Sequence, residues 1–330
     1  MQIDKIFSNP IGTFYAIKEE GPVKSFVVST KGTREICNSP EIIGIEYTGR
    51  LKKAVTFALE MLPNPDLATI SDRKIWELVL LRGGLNFGIK EALYLAHGHN
   101  RNSRAFLSSQ RRKTKEGIWI IDEDYYQKPV TVPEKSTLII GDVVATGTSL
   151  QNGLKTIGES LGEGSIENIV CLTIGCSEAE RILSEFVKTL EGKQGYQANA
   201  SVVYFEGRFG LVGENHNLQI GLPGTDFTRF GEGCVLAPEF ERSQYKQPSN
   251  PLERCAIYDA GSRAFEIETH VNDVIEYWEQ VAGLARGGLT FDALVRERFP
   301  QYKPQKGTET PTLLQVCEER LSTMNALLRE

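Results

Sequence analysis

The stretch from Ser136 to Leu150, STLIIGDVVATGTSL, constrains this chain more than any other part of it. A short apolar run, Leu138-Ile139-Ile140, is followed by Gly141-Asp142 and then by Val143 and Val144. Ala145-Thr146-Gly147-Thr148-Ser149 comes next and opens into a helical pattern from Leu150. The order reads as a buried strand, a tight turn of small hydroxyl residues and a helix start. Consecutive N–H groups in such a turn form a concave nest at the positive end of a helix dipole, which suits a phosphate. The hydroxyls of Thr146, Thr148 and Ser149 add donors, and Gly147 lets the backbone approach a ligand closely. Asp142, just before the turn, can hold a ribose hydroxyl or, through water, a Mg2+ ion. The competing reading is an ordinary strand–turn–helix with Ser/Thr capping. Acid, spacer, Ala-Thr-Gly and two hydroxyls in this order favours the phosphate site.

A chain of 330 residues holds two domains or one large domain with additions. It is 40% hydrophobic and 24% charged, as soluble globular proteins are. The net charge of -6 argues against a broad nucleic-acid surface. No apolar run reaches about 18 residues, so no membrane span is expected. The start, MQIDKIFSNPIG, lacks the basic-then-apolar pattern of a secretion signal. Cys37, Cys171, Cys176, Cys234, Cys255 and Cys317 are scattered without a CxxC pair, which fits reduced thiols in a cytoplasmic protein better than disulfides or zinc. His97 and His99 form the one close histidine pair, and a Gly-containing loop after a helix is a simpler home for it than a metal site.

Along the chain, residues 1–65 mix short β-like runs with one helical run from Gly49 to Leu62, closed by Pro63. Strands and helices then alternate. Strands are expected at 77–81, 137–140, 166–174 and 200–205, and helices at 87–96, 149–161 and 177–190. Such alternation indicates an α/β fold with a parallel sheet, whose ligands sit beyond the carboxyl ends of the strands. The segment 102–132 breaks the rhythm and reads as a projecting hairpin or flap. After about residue 235 the chain turns loop-rich and then helical, at 271–285 and 312–328. In the first of these helices Val271, Val274, Ile275, Trp278 and Val281 make one apolar stripe, with Tyr277 at its polar border. Thr310-Pro311 is the expected cap and first turn of the second.

The Asp142–Ser149 stretch resembles the phosphoribosyl pyrophosphate loop of type I phosphoribosyltransferases. That family places two acidic residues, or an acid in the first of the two positions, ahead of the Ala-Thr-Gly turn; here the first is Gly141. Arg82-Gly83-Gly84-Leu85, closing a strand, is similar to the Arg-Ala-Gly-Leu pyrophosphate loop of the uracil branch. Gln110-Arg111-Arg112-Lys113 and Asp124-Tyr125-Tyr126-Gln127-Lys128 resemble that branch's β-arm. Gly221-Leu222-Pro223-Gly224-Thr225-Asp226-Phe227-Thr228-Arg229-Phe230-Gly231 resembles its base-binding loop, with a gap. The resemblance covers residues 66–235, flanked by an N-terminal segment, 1–65, and a helical extension, 236–330.

It implies a phosphoribosyltransferase that joins a nitrogenous base to 5-phosphoribosyl 1-pyrophosphate with Mg2+ and releases pyrophosphate. Asp142, Arg82 and Asp226 are then the catalytic candidates. Gly83, Gly84, Arg111, Arg112, Val143, Ala145, Thr146, Gly147, Thr148, Ser149, Gly224, Thr225 and Phe227 are the substrate-binding ones, and Asp142 reaches the metal through water. Phe227 and Phe230 each have ordinary core packing as the alternative to stacking on a base. An acid restored at position 141 is expected to tighten Mg2+-dependent binding if that position faces the ribose. The rival reading is a non-catalytic or repurposed relative that binds a nucleotide and regulates a partner. A homodimer is expected, and the extension is a candidate surface for another protein.

Overall fold

The computed structural model describes residues 3–81, 83–113, 119–127, 131–211, 227–231, 233–246, 267–299, 301–303 and 312–329. Three antiparallel strands come first: β1 (Ile3–Ser8), β2 (Gly12–Ile17) and β3 (Val23–Thr30). Two helices follow, α1 (Lys31–Asn38) and α2 (Gly44–Met61). Thr30 and Thr33 cap α1 reciprocally, each side chain satisfying the other's backbone N–H. The chain then alternates through β4 (Ile75–Leu81), α3 (Ile89–His97), β5 (Ser103–Lys113), β6 (Trp119–Gln127), β7 (Ser136–Val144), α4 (Thr148–Ser160), β8 (Ile166–Cys176), α5 (Glu178–Gln194) and β9 (Asn199–Leu211). Two short strands, β10 (Phe227–Thr228) and β11 (Val235–Leu236), pair with the far end of β9, and α6 (Pro238–Lys246) follows.

The main sheet runs β1-β2-β3-β9-β8-β7-β4-β5-β6. Its six central strands, β3 to β5 in that order, are all parallel. Strands buried on both faces need continuous apolar runs, and Leu138-Ile139-Ile140 and Ile169 to Leu172 are fully buried. The α/β alternation read from sequence is therefore the architecture. The expected hairpin forms between β5 and β6, but the first half of β5 also pairs in parallel with β4. The arm thus grows out of the sheet edge instead of projecting free of it.

Strand β7 is longer than the apolar run suggested. Its ladder with β8 continues from Ile140↔Cys171 to Val144↔Gly175, so Gly141 and Asp142 are strand residues and the turn starts at Ala145. His97 ends α3, and both rings of the histidine pair bind backbone: His97 Nε2 lies 3.1 Å from the Leu59 carbonyl, and His99 Nε2 lies 2.9 Å from that of Leu67.

Three C-terminal helices, α7 (Ile267–Arg286), α8 (Phe291–Arg298) and α9 (Leu313–Leu327), enclose a second apolar cluster around Trp278, Val281, Leu294 and Cys317. It meets the α/β part through polar bridges, His270 Nε2 to the Pro40 carbonyl at 2.8 Å and Arg320 to Glu41 at 3.5 Å. The rings of Tyr245 in α6 and Phe299 meet edge-on at 5.5 Å. Two sequence expectations change here. Tyr277 is buried (1% exposed) and not at a polar border, because α7 is covered by α9 and also docks at Pro40, which widens its apolar face. The cap of α9 is Thr312, locked to Gln315 in a capping box, while Thr310 and Pro311 lie outside the described residues.

Candidate functional site

From β4 the chain crosses through α3 to β5; from β7 it crosses through α4 to β8, in the opposite direction along the sheet. Adjacent parallel strands whose exits diverge leave a crevice beyond their carboxyl ends, where open α/β sheets take ligands. Both glycine-bearing turns singled out in the sequence sit there. Gly83–Phe87 forms a 3-10 turn leaving β4, and Ala145–Gly147 leaves β7.

The second turn is rigid at both ends. Gly147 has φ 72° and is the N-cap of α4, with no side chain capping the helix. A Cβ at that position would displace the tip of the Ile182 side chain of α5, and the positive φ is what favours glycine there. Cys176 Sγ donates to the Ala145 carbonyl at 3.1 Å, fastening the turn to the end of β8. The hydroxyls of Thr146 and Thr148 lie 3.1 Å apart and bond each other. Val143, Ala145, Thr146, Thr148 and Ser149 are all half-buried. The first N–H groups of a helix lack intrahelical partners and carry its positive dipole end, so this turn offers directed donors to an anion.

Asp142 is half-buried and faces Thr173 across the ladder. Burial, and then the charge of Asp142, pushes the Cys171 thiol well above its ordinary range. Position 141 behaves differently. A Cβ there would lie 2.5 Å from Phe87 Cγ and 2.7 Å from Phe87 Cβ. Gly141 therefore seats the buried Phe87 ring, and an acid there would enter that packing and not meet a ribose. Phe87 was not singled out from sequence; a lone aromatic beside a glycine-rich turn carries no local signal of the strand it covers.

Gly83 and Gly84 are buried in the first turn, and a Cβ on Gly84 would stand 3.1 Å from the Gly141 carbonyl oxygen. The first turn thus lies against β7 at Gly141, upstream of the second turn. Arg82, Gly224, Thr225 and Asp226 lie outside the described residues. Arg111 and Arg112 occupy β5 opposite Ile121 and Ile120. Phe227 is 1% exposed in the main apolar cluster, its ring 5.8 Å from that of Phe209, so the packing alternative describes it. Phe230 is half-buried. Arg229 is buried and donates to Gln244 Oε1 at 2.7 Å, to Asn38 Oδ1 at 3.2 Å and to the Cys37 carbonyl, which pins this segment to α1 and α6.

A groove of about 550 Å³ runs between α4 and α5, lined in part by Lys155, Phe186 and Lys193. It touches the turn only through Thr148, so it is a surface feature of the helix pair and not the crevice between β4 and β7. Among the described residues no three His, Cys, Asp or Glu gather around a common point. A Mg2+ carried by substrate phosphates needs only one or two protein carboxylates, and Asp142 is half-buried at the end of β7.

The buried acid Glu206, in β9, has no local sequence signal. Its backbone has φ 66°, its carboxyl group receives Ser29 Oγ at 2.7 Å, the Thr30 N–H at 3.0 Å and the Thr33 hydroxyl, and burial pushes its pKa up to about 7. A raised carboxyl pKa favours the folded state below the unfolded value of 4.5, and that stability is lost as pH rises through 7. Raising pH from 4.5 to 8 should therefore cost about 3 kcal/mol through this residue. Chemical denaturation across that range should show the slope, to which Glu77, also raised by burial to about 7, adds in the same direction, and Glu206→Gln should remove roughly half of it; an unchanged slope in the variant would assign it elsewhere.

No family model matches the chain, and no curated protein does. Among solved structures it is similar to adenine phosphoribosyltransferase from Leishmania donovani, at 15% identity and a TM-score of 0.34, over 57% of this chain and 85% of that one. The enzyme from Trypanosoma brucei, solved with AMP, pyrophosphate and ribose-5-phosphate, gives 10% identity, a TM-score of 0.35 and coverage of 58% and 85%. That from Leishmania tarentolae gives 16%, 0.35, 57% and 93%. The uracil-like character of the base-side loop rests on the sequence alone.

Proposed function

We propose that the protein transfers a phosphoribosyl group from 5-phosphoribosyl 1-pyrophosphate to a nitrogenous base. The observation that supports the reading is that the hydroxyl turn Thr146–Ser149 and the Gly83–Gly84 turn leave the carboxyl ends of the neighbouring parallel strands β7 and β4, where the crossovers diverge. Thr146, Thr148 and Ser149 hold the 5′-phosphate with the first N–H groups of α4. Asp142 holds a ribose hydroxyl or a metal-bound water, and Arg82 with Gly83 and Gly84 receives the pyrophosphate. Asp226, Gly224 and Thr225 belong to the base side, and Arg111 and Arg112 of the arm clamp the leaving group.

The C1–oxygen bond breaks with its electron pair leaving on pyrophosphate, the base nitrogen bonds to C1, and the base gives up a proton. The transition state is oxocarbenium-like, so positioning and neutralisation of the growing charge supply most of the acceleration. Mg2+, when bound, neutralises pyrophosphate oxygens. The proposal includes a cytoplasmic homodimer, and a core of residues 66–235 between an N-terminal segment and an extension open to another protein. A second reading, a nucleotide-binding regulator without catalysis, is favoured by one observation: Gly141 under Phe87 leaves Asp142 as the one acid of the pair.

Phosphoribosyl pyrophosphate at about 100 times its Kd should stabilise the fold by about 2.7 kcal/mol. The Thr146→Val, Thr148→Val double variant should lose that shift in a thermal melt. A shift that survives both substitutions refutes the turn as the phosphate site. Release of labelled pyrophosphate across a panel of nucleobases then separates the enzyme from the regulator.

A further inference from the structure

We infer that Phe87 is a positioning residue that sets the distance between the two anion-holding turns, so that the crevice takes a ligand with phosphate groups at both ends of a ribose. The inference rests on the proposed function of this same site. Phe87 is fully buried at the end of the Gly83–Phe87 turn, its ring against the Gly141 backbone and 6.4 Å from the Phe205 ring of β9. At the start of the same turn, Gly84 meets the Gly141 carbonyl so closely that a Cβ would stand 3.1 Å from it. One glycine of β7 therefore receives both ends of the turn from β4.

The chain passes from that glycine through Asp142 to the 5′-phosphate turn, which Cys176 and Ile182 hold in place. The first turn is thereby docked on the same short strand segment from which the second continues, and Phe87 supplies the apolar contact that holds the first on that strand. A monophosphate needs only the Thr146–Ser149 turn. A ligand carrying a pyrophosphate at C1 as well needs both turns at a fixed spacing, because misplacement by about 1 Å erodes binding and rate steeply.

The test uses the full chain and three probes: ribose 5-phosphate, inorganic pyrophosphate with Mg2+, and phosphoribosyl pyrophosphate with Mg2+, each titrated calorimetrically. Phe87→Ala should weaken the two pyrophosphate-bearing probes by about tenfold or more while ribose 5-phosphate changes by less than about twofold. Phe87→Leu, which keeps most of the buried volume, should fall between, and it decides the matter if the alanine variant does not fold. Equal losses for all three probes, or none for any, would overturn the role of Phe87 and leave the site reading standing. Failure of the unaltered protein to bind any of the three would remove the site reading itself, and this inference with it.

Discussion

Gly141→Asp should destabilise the protein by about 4 kcal/mol or more, because it adds both bulk and a charge to a closed space. The new Cβ would sit 2.5 Å from Phe87 Cγ, and Phe87 is fully buried, so the ring has no solvent to retreat into. The carboxylate beyond it would enter apolar packing that includes Phe205. Equilibrium urea unfolding measures the loss. Adding Phe87→Ala should recover part of it, since residues in contact are strongly coupled. The double variant also asks a functional question. The side chain at 141 still points into the space that Phe87 filled, so Mg2+-dependent binding of phosphoribosyl pyrophosphate should be no tighter in the double variant than in Phe87→Ala alone. A cost below about 1 kcal/mol for Gly141→Asp alone would mean that the strand tolerates an acid there.

What made the hydroxyl turn legible is that its chemistry is local. Strand, acid, small residues and helix start fall within one short stretch, and each step follows from propensity and capping. The sheet was legible for the same reason, because strands buried on both faces must be continuously apolar. Contacts between distant segments were not legible. Nothing around Phe87 announces that it will cover Gly141, and nothing in the Asn199–Leu211 strand marks Glu206 as a buried acid held by the first turn of α1. The tertiary ladder likewise decided where strands ended: β7 runs on to Val144 because β8 runs on beside it. For Tyr277 the single-stripe reading assumed one packing partner, whereas α7 has two. Arg82 and Asp226, two of the three catalytic candidates, lie outside the described residues, so their roles remain part of the proposal.

Trp278→Ala should cost about 4 kcal/mol, with the damage confined to the helical cluster of α7 to α9. Trp278 is 1% exposed and packs edge-on against Tyr277, ring centroids 5.3 Å apart. Its cluster is distinct from the apolar core of the sheet and meets it at Leu236, at Tyr245 of α6 and through polar bridges. A cavity opened there has few apolar routes by which to loosen β7, β8 or β9. Hydrogen exchange should therefore accelerate in α7 to α9 while those strands keep their protection. The ligand-induced melting shift from phosphoribosyl pyrophosphate should survive the substitution. Trp278→Phe should cost much less than the alanine change. It keeps most of the buried ring area and removes the indole N–H, which is buried without a hydrogen-bond partner among the described residues. Equal acceleration of exchange in the helices and in the central strands would show one cooperative unit, and the helical cluster would then help support the strands that carry the proposed phosphate site.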